Sequence, residues 1–155
     1  MLKKYEGRKV AGFIAAVCSV FIIFFLLLLH FMNQRVKVID VSDCDRSTGE
    51  VVFQIEEVST FYNYIFVGGY AYIPGEDIDE SCIQVLMYDE SKDMYYELPT
   101  ETVKREDVTE DADDGYDYDY SGFRSAAYKS KLPENGRFVL LYQCNGRKIL
   151  IQEEG

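Results

Sequence analysis

The chain has 155 residues and a formal net charge of −11 at neutral pH, with one histidine, four cysteines and no tryptophan. The imbalance sharpens past residue 32: Asn33–Gly155 holds 12 Lys/Arg against 26 Asp/Glu, a net of −14. So negative a surface repels phosphate and argues against DNA, RNA or anionic lipid as a partner, and one histidine leaves hydrolytic triads and most proton shuttles without their base.

Val10–Met32 is the first element in chain order. Phe13–Leu29 within it is uncharged and almost wholly Ile, Leu, Val, Phe and Ala. Wound as a helix at about 1.5 Å per residue, the segment reaches roughly 35 Å, against a hydrocarbon core of ~30 Å. Residues 1–9 form a basic N-terminus, in which Lys3, Lys4, Arg8 and Lys9 face only Glu6. This cluster predicts a cytoplasmic N-terminus, a single transmembrane helix over 10–32 and an extracytoplasmic domain over 33–155. A cleaved signal peptide would end in small residues, whereas Leu26–Met32 reads LLLLHFM, so the helix is expected to stay as a cell-membrane anchor. Cys18 is read as a small apolar residue of the helix and His30 as an interfacial side chain. Gly12, Ala15, Ala16 and Ser19 put small residues on one helix face, a spacing that permits close packing against another membrane helix.

Alternation of period two dominates afterwards. Strands are predicted over Arg35–Val41, Glu50–Val58 and Phe61–Ile73, the last as a central strand in which Gly68-Gly69 marks a bulge or a close backbone contact. Cys82–Tyr88 and Met94–Leu98 flank a polar connection and form a hairpin. Thr100–Val108 reads equally as helical turn or strand edge, Glu110–Tyr120 as a loop, and Gly122–Tyr128 as a strand. Asn145-Gly146 is the strongest turn signal. It pairs Tyr142 with Ile149 and Leu140 with Ile151, and so puts Phe138, Leu140, Tyr142, Ile149 and Ile151 on one face. Seven to eight short strands without an amphipathic helix predict an Ig-like antiparallel β-sandwich, with a small barrel as the alternative.

Cys44, Cys82 and Cys144 follow the span. Being odd in number, they allow at most one intramolecular bridge; no CxxC or Cys/His cluster points to zinc or thioredoxin-like chemistry. No Asn-x-Ser/Thr sequon occurs.

Gly68-Gly69-Tyr70-Ala71-Tyr72-Ile73-Pro74-Gly75, Arg105-x-Asp107-Val108-Thr109 and Tyr120-Ser121-Gly122-Phe123 together resemble a β-sandwich module of single-pass envelope proteins from Gram-positive-type bacteria. In that family Trp usually stands at the place of Tyr70. The resemblance spans about Glu50–Ile151 and implies a fold and an envelope location, but no activity.

Two clusters invite a chemical role. Asp111, Asp113, Asp114, Asp117 and Asp119 could offer oxygens to a hard cation such as Ca²⁺, although Gly115 falls one residue early for EF-hand spacing; a solvated acidic loop is the plainer expectation. Tyr70, Tyr72, Tyr118 and Tyr120 could form an aromatic surface for a ligand or partner, against packing on half-buried strands. No pair of carboxylates stands out as a glycosidase couple, and no phosphate-binding glycine loop occurs. The expected function is a non-catalytic, membrane-anchored binding or accessory module facing cell-wall glycan or a membrane-protein partner. The alternatives are a structural subunit associating through its helix and a carboxylate-dependent glycan hydrolase.

Overall fold

The computed structural model describes residues 7–33, 36–46, 48–78, 83–144 and 146–152. It divides into two compact units, residues 1–34 and 35–155. The first contains α1 (Gly7–Asn33). Its stretch Val10–Phe31 is long and apolar enough to cross a membrane. Large side chains such as Phe13, Phe21, Phe24 and Leu26 are exposed around it. A helix apolar on every side has no polar face to turn to water, unlike the amphipathic helices that cover a soluble core.

The second unit is mostly antiparallel sheet. Its strands are β1 (Lys37–Ile39), β2 (Val52–Phe61), β3 (Tyr64–Tyr72), β4 (Ile83–Asp89), β5 (Met94–Glu97), β6 (Thr100–Val103), β7 (Gly122–Tyr128), β8 (Arg137–Cys144) and β9 (Arg147–Gln152), with a short helix α2 (Glu106–Ala112) between β6 and β7. One sheet runs β1-β5-β4-β8-β9, the other β2-β3-β7-β6. Period-two patterning explains the core they share. Val85, Leu140, Ile149 and Ile151 from the first sheet cluster with Val67, Ala71, Phe123 and Ala127 from the second. The first sheet is apolar on its other face too: Leu86, Val139, Leu141, Leu150 and Tyr95 are covered by Val41 from the segment after β1.

The hairpin at Gly146 has the expected register, with Tyr142 opposite Ile149 and Leu140 opposite Ile151. Gly146 has φ +75°, the left-handed region that its turn requires; Asn145 lies outside the described residues. β3 is an interior strand, as its composition suggested, between β2 and β7. β2 bulges between Ile55 and Glu57, opposite Gly68 and Gly69. There the backbones come so close that a Cβ on Gly69 would collide with the Gln54 carbonyl. This is the close contact that the glycine pair announced.

Several boundaries shift. Phe61 ends β2 instead of opening β3, because the chain turns at Tyr62-Asn63 with Tyr62 at φ +52°. Arg35–Val41 shortens to Lys37–Ile39. Val36 packs against the main core, while Val38 stays 53% exposed on an edge strand. Thr100–Val108 is both things at once, since β6 ends at Val103 and α2 starts at Glu106. That helix reaches into the stretch expected to be loop. Glu106 and Asp107 in its first turn complement the partial positive charge there, and it stops where Asp113 turns left-handed at φ +44°.

Candidate binding face

Alternation along β3 builds the face. Val67 and Ala71 point into the core, so Tyr64, Phe66, Gly68, Tyr70 and Tyr72 occupy the outward positions, all four rings half-buried. Register brings Phe61, Ser59, Glu57 and Gln54 of β2 alongside on one flank. Tyr128, Ala126, Arg124 and Gly122 of β7 lie on the other. Rings meet along this row: Tyr64 with Tyr128 at 4.1 Å between centroids, Tyr64 with Phe66 at 6.1 Å and Tyr70 with Tyr72 at 6.2 Å. At the end of the hairpin Phe61 is 65% and Tyr62 84% exposed, their rings edge to face at 4.6 Å.

α2 closes the opposite end. Arg105, just before it, donates from Nη1 and Nη2 to Glu56 at 2.6 and 3.0 Å, and from Nε and Nη2 to Asp107 at 2.8 and 2.6 Å. Its guanidinium carbon also lies 5.2 Å from the centre of the Tyr70 ring. Tyr70 in turn donates to Gln54 Oε1 at 3.1 Å. Glu56 is the extra residue at the β2 bulge, between Ile55 opposite Gly69 and Glu57 opposite Gly68. Beside this knot lies a shallow cleft of about 260 Å³ bordered by Tyr70, Tyr72, Arg105, Asp107 and Asp111.

The acidic run is largely consumed by the fold. Tyr118 has 0% exposure, and its hydroxyl donates to Asp114 Oδ2 at 2.6 Å while accepting from Gly75 N at 2.8 Å. Burial first, and the Asp114 carboxylate second, push its pKa up to about 12. Asp114 also accepts from Tyr116 N, and Asp117 from Asp119 N. Asp119 takes Lys104 Nζ at 3.0 Å and the Thr109 hydroxyl at 2.8 Å, and these contacts, the lysine first, hold its carboxyl below the usual range. Asp113 caps α2, and Asp111 lies on the rim of the cleft. Among the described residues no three His, Cys, Asp or Glu side chains are grouped as a metal site.

Tyr118 is therefore a core residue, not part of a surface. It packs against Tyr72 at 4.3 Å because the run folds back over the end of β3. Tyr70 and Tyr72 do stand side by side on the outward face, whereas Tyr120 is 43% exposed in the turn before β7. Three stretches distant in sequence thus converge. Tyr70 pairs with Gly122, Ala71 N donates to Ser121 O at 3.0 Å, and Arg105 lies across Tyr70. Gly122 is pinned there, since a Cβ would strike the Val103 carbonyl. Sequence reading gave no role to Arg105, Glu56, Phe66 or Arg124; the fork in Arg105-x-Asp107 was the one local signal available.

Glu56 and Asp107 share one guanidinium, and Arg105, the leading cause, keeps the Asp107 carboxyl below its usual range. A glycosidase acid needs the opposite shift. Comparison with protein-family models, curated proteins and solved structures finds no match to this chain.

Proposed function

We propose that the chain is a single-pass membrane protein that displays an Ig-like β-sandwich outside the cytoplasm as a non-catalytic module binding cell-wall glycan. The observation that carries this reading is the row of half-exposed rings on the outward side of β3, Tyr64, Phe66, Tyr70 and Tyr72, broken only at Gly68 and extended by Phe61 and Tyr62. Aromatic faces stack on the C–H faces of sugars, and their hydroxyl groups supply the polar contact. Two further observations support it. Lys3, Lys4, Arg8 and Lys9 before an apolar helix favour a cytoplasmic N-terminus. Cys144 is disulfide-bonded, as suits an oxidising compartment, while Cys18 and Cys44 are free; Cys82 lies outside the described residues.

Association through the helix is the weaker reading. Ser19 Oγ already donates to Ala15 O at 2.9 Å within α1, so one member of the small-residue stripe is satisfied internally.

Two measurements test the proposal. Protease added to wall-stripped cells should digest residues 33–155 and spare the N-terminus. The full chain in neutral detergent should sediment with peptidoglycan sacculi stripped of anionic polymers, and Phe66→Ala should reduce the retained fraction severalfold. A protected domain, or no retention by sacculi, overturns the reading.

A further inference from the structure

Gly68 and Gly69 are adjacent, but only one of them is demanded by the fold. Gly69 has no room for a side chain against β2. An added Cβ on Gly68 meets nothing nearer than Phe123 O at 3.6 Å, an ordinary contact, and its backbone is not left-handed. A glycine inside a strand costs about 0.5–1 kcal/mol relative to alanine, so this position carries a cost that packing does not explain.

The missing side chain leaves an opening. It measures about 300 Å³ and is lined by Glu57, Phe66, Val67, Gly68 and Arg124. Every other outward position of β3 holds an aromatic ring, so the gap is a slot in a row of rings. Register sets Glu57 on one flank of Gly68 and Arg124 on the other. Glu57 accepts a hydrogen bond from Ser59 Oγ at 2.7 Å, and Arg124 forms no ion pair among the described residues.

We infer that this slot is the subsite for one neutral pyranose ring of a wall polysaccharide, with Phe66 under the ring and Glu57 and Arg124 bonding its hydroxyls. The inference rests on the glycan-binding reading above and locates it. Three features select this occupant. The flanking charges cancel, which suits a neutral ligand that both donates and accepts hydrogen bonds. The net charge of −14 around it opposes phosphate-bearing polymers. The volume lies at the small end of the roughly 300–1,000 Å³ typical of ligand pockets, enough for one ring.

The test uses the full chain in neutral detergent, with stripped sacculi and an N-acetylglucosamine tetramer as soluble competitor. Gly68→Val should fill the slot and weaken binding at least tenfold without lowering the unfolding midpoint, and Arg124→Ala should weaken it comparably. Tyr116→Ala, on a ring exposed elsewhere, should change binding less than twofold. Gly68→Ala serves as the smaller plug if the valine variant unfolds. Wild-type retention left intact by Gly68→Val, Gly68→Ala and Arg124→Ala overturns the subsite but spares the binding module. Wild-type chain that fails to bind sacculi overturns the module itself.

Discussion

At the scale of single residues, Tyr118 converts a run of carboxylates into ordered structure. Its hydroxyl bridges Asp114 and the Gly75 amide, and Tyr118→Phe leaves both without that partner. We expect a loss of about 1–3 kcal/mol in urea unfolding. The same hydroxyl gives a pH signature. The folded chain keeps this proton up to about 12, while an unfolded tyrosine loses it near 10.0. Between these values the unfolded state binds fewer protons, so stability falls as pH rises through that window. Burial also raises Tyr72 and Tyr142, in the same sense. Thermal midpoints measured from pH 9 to about 12 should decline, and Tyr118→Phe should flatten the decline. The glycine pair supplies a second contrast. Gly69→Ala, which forces β2 away from β3, should cost about 2–3 kcal/mol, whereas Gly68→Ala should be neutral or slightly stabilising.

Among elements, α2 is held by Arg105 more than by its own length, since seven residues form a marginal helix alone. The guanidinium joins the β2 bulge, the β3 ring of Tyr70 and the first turn of α2. Its side chain is 20% exposed, so these contacts are only partly screened. Arg105→Ala should cost about 1–2 kcal/mol, and Arg105→Lys should restore less than half, because an ammonium cannot fork to two carboxylates. Acid reveals the same knot. The lowered Asp107 carboxyl contributes stability above its ordinary 3.8, and this is lost as pH falls through its lower folded value. The slope of the unfolding midpoint between pH 5 and 2 should be shallower in Arg105→Ala. By contrast the register of the β8–β9 hairpin follows from its own turn, although Lys148 and Arg147 also pair with the distant Asp43 and Glu50. Asn145-Gly146 and five alternating apolar residues specify it locally, which is why its register could be read in advance.

For the molecule as a whole, the Cys144 disulfide is the covalent constraint on the two-sheet unit. Cys144→Ser should lower stability by about 2–4 kcal/mol, and dithiothreitol should lower the wild-type midpoint to the same level. The Cys44 thiol should take no part in this, since burial and the neighbouring Asp43 charge raise its pKa and suppress its thiolate at neutral pH. An alkylating reagent at pH 7 should therefore label the folded, oxidised chain slowly at this position. The whole domain is also acidic, and pairs such as Lys148 with Asp43 and Lys104 with Asp119 commit part of its few cations. Among the described residues Arg124 of β7, opposite Gly68, forms no such pair.

The apolar helix, the acid excess, the alternating strands and the hairpin register were determined by the amino-acid sequence alone. Each depends on composition or on neighbours a few residues apart, and a period of two or an Asn-Gly pair has the same meaning in any surroundings. Only the tertiary structure decided that Tyr118 is inside, that Arg105 reaches Glu56 across 49 positions, and that packing demands only one glycine of an adjacent pair. Those outcomes turn on which strands become neighbours, a choice made by closing long loops over a shared core, and no local pattern encodes it.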